Sequence, residues 1–127
     1  MDLDDFKSIN DRYGHSCGDY VLMETARKLR LVFSDTTCIG RIGGDEFAIL
    51  LHCVADGKSL ERQGRQLIQA LLEICWQDQM LGISCSVGIL RVSRPGVGYE
   101  RLYSETDQVL YDAKRCGKGC CRFREIT

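Results

Sequence analysis

A glycine pair between two apolar stretches most constrains how this chain can fold. Cys38–Ile42 and Glu46–Leu51 are separated by Gly43, Gly44 and Asp45. Two strand-like runs joined by glycines predict a β-hairpin. Glycine lacks a Cβ, so the predicted turn can be tight and a ligand can lie against its backbone. Two neighbouring acids follow the glycines. They indicate either a solvated polar turn or a site for a cation or a donor-rich ligand.

A second acidic cluster, Asp2, Asp4 and Asp5, lies at the start of the chain and is a second candidate site for a cation. Four segments of the sequence read, in chain order, DLDDFKSINDRYGHSCGD, RIGGDEF, SCSVGI and LYDAKRCGKG. Together they resemble the GGDEF family of diguanylate cyclase domains. They occur in the family's order, and the resemblance covers essentially the whole chain.

Composition is typical of one globular domain. The chain has 127 residues, 44% of them hydrophobic, which is sufficient for one packed core. Its formal net charge of -1 gives no reason to expect binding to nucleic acid or to a membrane surface. No apolar run is long enough to cross a bilayer, and the acidic start differs from a signal peptide. We therefore expect a cytoplasmic domain, whose parent protein can still be membrane-anchored.

The cysteines are numerous for this length, with 8 in the chain. Nothing in the sequence indicates the secreted context that a disulfide framework needs. Zinc-type spacing is also missing, so we favour reduced structural thiols over a metal site. We expect three of them to occupy buried apolar positions: Cys38, Cys75 and Cys85.

Hydrophobic periodicity predicts an alternating α/β order. We expect a short helix over Asp4–Asn10 with Asp4 as its N-cap, a loop over Asp11–Gly18, and a long amphipathic helix over Asp19–Phe33. A second long helix follows, marked by apolar residues from Leu60 to Trp76 and weakened at Gly64 by about 1 kcal/mol relative to alanine. The remaining predicted elements are a strand over Ile83–Val92, a helix over Tyr99–Cys116 and a short strand over Cys120–Arg124.

This order predicts an α/β sandwich with a mostly antiparallel sheet. The resemblance implies the same fold class, a palm-like, ferredoxin-like central sheet flanked by helices. In the family, an apolar run and a helix precede the first aspartate of the motif. We therefore expect residues 1–127 to form a single GGDEF-type catalytic domain that lacks its N-terminal helix and most of its first strand.

The resemblance implies a metal site built from Asp2, Asp45 and the backbone carbonyl of Leu3. Magnesium prefers such hard oxygen ligands, and Mn²⁺ is the alternative. Taken alone, Asp2 would be an ordinary helix cap or surface acid. The resemblance also makes Asp45 and Glu46 the candidate catalytic acids, and the sequence does not say which of them is the base.

Guanine recognition is implied at Asn10 and Asp19. A carboxylate accepts from the N1–H and N2–H groups of guanine, a donor pair that adenine lacks. The alternative for Asp19 is the N-cap of the following helix. Leu22 either packs on the base or belongs to the helix core. His15 lies in the Gly-His loop, where a hydrogen bond that orders the loop is favoured over a catalytic role.

Phosphate binding is implied at Lys7, Lys114 and Lys118, with Gly43 and Gly44 lying against the substrate. Lys114 and Lys118 are four residues apart and share one helix face. The alternative is a favourable interaction of these cations with the helix C-terminus.

One feature of many family members is missing. Their inhibitory product site, Arg-x-x-Asp, corresponds here to Ser34 and Thr37, which cannot supply the arginine fork. Arg41 remains as a secondary element only. We therefore expect weak or no inhibition by the product through this site.

The implied reaction condenses two GTP molecules into cyclic di-GMP with release of pyrophosphate. Because each domain offers one GTP site, we expect a two-fold homodimer to be the active species, coupled to sensor or regulatory domains in the parent protein. Three alternatives stay open: a GTP-binding regulatory module without turnover, a cyclic di-GMP receptor, and an inactive fragment of a larger signalling protein.

Overall fold

The strand over Cys85–Val92 is the centre of a three-stranded sheet, and two of the helices pack against it. In the computed structural model we describe residues 1–34, 36–52 and 56–127, with positions 36 and 37 as backbone only. Cys53 lies outside the described residues. The elements in chain order are β1 (Asp2–Leu3), α1 (Phe6–Tyr13), α2 (His15–Val32), β2 (Thr36–Arg41), β3 (Phe47–Leu51), α3 (Gly57–Leu72), β4 (Cys75–Trp76), β5 (Gln79–Met80), β6 (Cys85–Val92), α4 (Tyr99–Arg115) and β7 (Cys121–Ile126).

The strands form three small sheets within the described ranges. One has the order β1-β6-β7, and the hairpins β2-β3 and β4-β5 form the others. β1 runs antiparallel to β6, whereas β6 and β7 are parallel. An isolated antiparallel bridge between Asp2 and Glu46 joins the β2-β3 hairpin to β1. The predicted α/β class and the mostly antiparallel pairing are both confirmed.

The start of the chain differs from the sequence prediction in where its helices begin. Asp5, and not Asp4, precedes α1, and its side chain makes no capping bond. The predicted loop over Asp11–Gly18 is wrong, because α1 runs to Tyr13 and α2 begins at His15. Only Gly14 interrupts the two helices, with a φ of 90° that favours glycine.

The second long helix ends earlier than its apolar pattern predicts. α3 stops at Leu72, and residues 75–80 form the β4-β5 hairpin. The ring of Trp76 packs on Tyr20 of α2, with ring centroids 5.2 Å apart. Burial of Trp76 against another helix therefore mimics the continuation of a helical face, which explains the error.

Two glycines allow helices to pack closely on the sheet. A Cβ on Gly64 of α3 would come within 2.5 Å of the Cys121 sulfur. Glycine has a low helix propensity, but at this position it allows α3 to pack closely on Cys121. A Cβ on Gly88 of β6 would come within 2.5 Å of the backbone nitrogen of Leu110 in α4. α4 therefore crosses β6 with its backbone nearly touching the strand at Gly88.

The main core lies between the sheet and helices α2 and α3. Its fully buried members include Val21, Leu29, Leu67 and Leu71. Each buried aliphatic side chain of this kind stabilises the fold by roughly 1.5–3 kcal/mol. Among the cysteines expected inside, Cys85 is buried, but Cys38 and Cys75 are exposed. Strand alternation turns Cys38 outward, and Cys75 lies in the short hairpin that replaces the predicted helix.

No helix in the described part of the chain combines the length and the hydropathy needed to cross a membrane.

Candidate active site

The candidate site forms where β1 meets the end of the β2-β3 hairpin. The amide of Leu3 donates to the carbonyl of Asp45 at 3.0 Å. The bridge between Asp2 and Glu46 adds a second connection. These backbone contacts bring Asp2 and Asp45, which are far apart in sequence, to the same end of the sheet.

The loop of the hairpin is wider than a tight glycine turn. β2 and β3 pair up to Arg41 and Phe47, and the amide of Ile42 donates to the carbonyl of Glu46 at 2.8 Å. Gly43 and Gly44 are not among the positive-φ residues, so the backbone conformation of the loop does not itself require glycine at these positions. A Cβ on either glycine would meet nothing within 4 Å. The open space in front of them leaves room for a ligand.

The carboxylate of Asp45 is in an unfavourable environment for a charge. Burial raises the pKa of Asp45, and the negative charge of Asp2 raises it further, while Lys114 lowers it. Two acids that approach each other this closely need positive charge beside them to remain ionised.

Lys114 supplies part of that positive charge. Its ammonium group donates a hydrogen bond to Oδ2 of Asp2 and forms an ion pair with it. Burial lowers the pKa of Lys114, but the hydrogen bond to Asp2 and the charges of Asp2, Asp45 and Asp4 outweigh burial, so the pKa is raised. Lys114 is therefore fixed in its cationic form at the acidic end of β1.

The second oxygen of Asp2 is left without a partner. Oδ1 of Asp2 is buried and has no hydrogen-bond partner among the described residues. A buried carboxylate oxygen without a donor is costly, and a cation would satisfy it. The described residues contain no cluster of three or more His, Cys, Asp or Glu side chains suited to a metal. Two carboxylates plus a backbone carbonyl nevertheless fit the sparse protein ligation that Mg²⁺ adopts.

The two residues expected to read guanine lie close together. A Cβ on Gly18 would lie only 1.8 Å from Oδ1 of Asn10, so the Asn10 side chain packs directly on Gly18. Asp19 is the next residue and is exposed. It lies inside α2, whose N-cap is Gly14, so the N-cap alternative for Asp19 is wrong. Leu22 is half-buried against the core.

The candidate phosphate-binding lysines lie around the start of α1. Lys7 is exposed on α1 itself. Lys118 follows α4 and reaches Oδ1 of Asp5 at 3.4 Å. Lys118 lies in a left-handed turn beyond the helix, so it does not share a helix face with Lys114 as the spacing predicts. His15, expected in a loop, is the first residue of α2 and is exposed.

Two side chains of the site, Tyr103 and Asp4, make contacts that were not predicted from the sequence. The hydroxyl of Tyr103 on α4 donates to Oε1 of Glu46 at 3.4 Å, and the charge of Glu46 raises the pKa of Tyr103. Asp4 accepts hydrogen bonds from Ser84, Ser86 and Gly119. Neither pairing has a spacing signal, since the partners lie on different elements.

The positions that correspond to the inhibitory motif are only partly described. Ser34 and Arg41 are both exposed. The side chain of Thr37 lies outside the described residues.

Comparison with known proteins finds a family match over most of the chain. The family model described as "Diguanylate cyclase, GGDEF domain" matches residues 1–120. Diguanylate cyclase DgcS of Shewanella oneidensis is 38% identical over 122 residues, covering 94% of this chain. The chain spans only 39% of the length of DgcS.

Solved structures give the same result. The isolated GGDEF domain of TpbB from Pseudomonas aeruginosa has a TM-score of 0.81 at 32% identity, covering 96% of this chain and 72% of that one. The active GGEEF domain of a diguanylate cyclase from Vibrio cholerae also has a TM-score of 0.81 at 32% identity, with 99% and 80% covered.

Proposed function

This chain belongs to the GGDEF family of diguanylate cyclase domains, and from that premise we propose that it condenses two molecules of GTP into cyclic di-GMP. The observation that carries the proposal is the convergence of Asp2 and Asp45 beside Lys114, with one buried oxygen of Asp2 unpartnered among the described residues. This is an acidic site that needs a cation, next to a fixed ammonium group. A Mg²⁺-bound triphosphate satisfies both needs.

The divalent cation would be held by the carboxylates of Asp2 and Asp45 and by the carbonyl of Leu3. When bound, Mg²⁺ or Mn²⁺ neutralises charge on the phosphates and stabilises the charge that develops during transfer. Burial and the charge of Asp2 both raise the pKa of Asp45, so added positive charge would favour its ionised form.

Substrate binding is divided between two ends of the site. Asn10 and Asp19 bind the guanine edge, and Leu22 flanks the base. Lys114, Lys118 and Lys7 bind the phosphates, and the open space at Gly43 and Gly44 admits the nucleotide.

In the reaction the ribose 3′-hydroxyl of each GTP attacks the α-phosphorus of the other. Two new P–O bonds form, and two pyrophosphates leave, each with the electron pair of the P–O bond that breaks. The hydroxyl proton passes to a carboxylate, for which Asp45 and Glu46 are the candidates. The hydrogen bond from Tyr103 orients Glu46.

Two such sites must face each other, so we propose that the active species is a two-fold homodimer. The chain spans a minority of the length of the relatives it matches, which supports sensor or regulatory domains elsewhere in the parent protein. GTP and Mg²⁺ are supplied in the cytoplasm, where we place the reaction.

Turnover by the purified chain tests the proposal. We would incubate it with GTP and Mg²⁺ at several protein concentrations and measure cyclic di-GMP and pyrophosphate, beside Asp45→Asn. Asp78→Asn is the matched control, because Asp78 is exposed in the β4-β5 turn. Product from the unmutated chain and the control alone, rising more than linearly with protein concentration, supports a dimeric cyclase.

Mg²⁺-dependent GTP binding without product would favour the GTP-binding module instead. A chain that neither binds GTP nor forms product refutes the proposal.

A further inference from the structure

Asp4 connects three parts of the candidate site through its carboxylate. Its Oδ2 accepts from the Ser84 hydroxyl at 2.7 Å and from the Gly119 amide at 2.9 Å. Its Oδ1 accepts from the hydroxyl of Ser86, which is fully buried, at 2.9 Å. Both oxygens are therefore satisfied by protein donors, unlike Oδ1 of Asp2, and Asp4 has no need of a metal.

The turn that Asp4 holds has an unusual backbone. Gly117, Lys118 and Gly119 have φ values of 103°, 61° and 58°, which places three consecutive residues in the left-handed region. Lys118 is not a glycine, so this conformation persists only where neighbouring contacts impose it.

Hydrogen bonds hold the turn at both of its ends. On the helix side, the amides of Gly117 and Lys118 donate to the carbonyl of Lys114 at 3.3 and 3.2 Å. On the strand side, the amide of Gly119 donates to Asp4. A Cβ on Gly119 would lie 3.1 Å from the Ser84 hydroxyl, so the turn lies directly on the Asp4 cluster.

Lys118 extends from this turn towards the site. Its ammonium group is 3.4 Å from Asp5, and its side chain is about half exposed, so it is accessible to a ligand. Asp5 follows Asp4 directly. The same two-residue segment thus contacts both the backbone of the turn and the side chain of Lys118.

We propose that Asp4 is a positioning residue, which holds the Gly117–Gly119 turn so that Lys118 faces the triphosphate of the nucleotide. This inference rests on the proposed function for the identity of the ligand. The placement of the turn by Asp4 is a separate claim that can be measured without nucleotide.

The first measurement follows the turn itself. In protein labelled with ¹⁵N-glycine, the hydrogen-exchange rate of the Gly119 amide is compared between the unmutated chain and Asp4→Asn. Asparagine has one acceptor oxygen in place of two and keeps a polar partner for Ser86, so the fold is retained. We expect exchange at Gly119 to accelerate about tenfold, as loss of a charge-assisted hydrogen bond requires. Asp78→Asn should leave the rate unchanged.

The second measurement is Mg²⁺-dependent binding of a non-hydrolysable GTP analogue. We expect Asp4→Asn and Lys118→Ala each to weaken binding by roughly three- to tenfold, and the double variant to bind no more weakly than Lys118→Ala alone. If Asp4 only stabilised the fold, the losses of affinity in the two single variants would multiply in the double variant.

Two results would overturn the inference: multiplying factors in the double variant, or unchanged Gly119 exchange in Asp4→Asn. Failure of the unmutated chain to bind the analogue would instead refute the proposed function. The exchange rates would then still decide whether Asp4 fixes the turn.

Discussion

Lys114 and Asp2 are 112 positions apart in the sequence, yet they form a hydrogen-bonded ion pair at the end of β1. The pair joins the C-terminal part of α4 to the first strand. It satisfies one oxygen of Asp2 and leaves the other without a partner in the described part of the chain. Lys114 therefore neutralises the acidic site only in part, which leaves the site suited to a further cation.

Replacing Lys114 should weaken the binding of nucleotide and strengthen the binding of free metal. In Lys114→Ala we expect GTP binding to weaken about tenfold, since a hydrogen bond to a charged group contributes on the order of 1.5–3 kcal/mol. Without nucleotide, Mn²⁺ should bind roughly two- to tenfold more tightly, because a competing positive charge has been removed. Titration followed by electron paramagnetic resonance measures the free metal. Lys58→Ala, an exposed lysine on α3, is the control. Weaker binding of both ligands would contradict the competition.

The raised pKa of Asp45 predicts a stability effect with a definite sign. A carboxyl whose folded pKa exceeds its unfolded value stabilises the fold below the unfolded pKa, and this contribution is lost as pH rises through the folded pKa. At pH 7 in the presence of a metal chelator, Asp45→Asn should therefore melt about 1–3 °C higher than the unmutated chain. This corresponds to a gain of less than about 1 kcal/mol in the free energy of unfolding, because the Asp45 side chain is partly exposed. Below the ordinary pKa of 3.8 the difference should vanish. A lower melting temperature for Asp45→Asn at pH 7 would show that the charge is well compensated.

Gly18 sets the position of Asn10, so adding a methyl group there should disturb guanine recognition. Because a Cβ would overlap Oδ1 of Asn10 at 1.8 Å, Gly18→Ala must displace that side chain. We expect a loss of roughly 1–3 kcal/mol in the free energy of unfolding. The ratio of GTP to ATP affinity should also fall, as measured by competitive binding. Gly40→Ala, where a Cβ meets nothing within 4 Å, is the matched control. If the ratio of GTP to ATP affinity is unchanged in Gly18→Ala, Asn10 does not take part in recognising the base.

Product inhibition through the position of the Arg-x-x-Asp motif should be weak or absent. Ser34 and Thr37 cannot supply the bidentate donor that grips a phosphodiester, and Arg41 alone is insufficient. Initial rates measured with added cyclic di-GMP should show no non-competitive inhibition. The double substitution Ser34→Arg with Thr37→Asp should introduce it. Strong non-competitive inhibition of the unmutated chain at low product concentration would sink this prediction.

The sequence alone predicts the strand and helix types well where periodicity is long and regular. The β2-β3 hairpin follows from two apolar runs joined by a glycine pair, and α4 follows from helical spacing. Two glycines caused the error in the predicted loop over Asp11–Gly18, because a glycine can either break a helix or allow close packing within one. Gly14 breaks the helix, whereas Gly18 lies inside α2 and accommodates Asn10. Gly64 lies inside α3 as predicted, where it accommodates Cys121.

The candidate site was predictable as a set of residues but not as a set of contacts. Asp2, Asp45 and Lys114 could be named only through resemblance to the family, since no spacing rule links strand, loop and helix. The roles of Asp4 and Tyr103 stayed hidden for the same reason. Their partners, Ser84 and Glu46, are 80 and 57 positions away.

The close approach of Gly88 to the backbone of Leu110 limits where residues can be inserted during the evolution of this domain. It fixes the rotational setting of α4 four residues before Lys114, and a helix turns about 100° per residue. A single inserted residue between Leu110 and Lys114 would swing the ammonium group away from Asp2 while leaving the packing on β6 intact. Length changes should therefore be tolerated before Tyr99, in the loop that follows β6, and excluded from this one turn of helix.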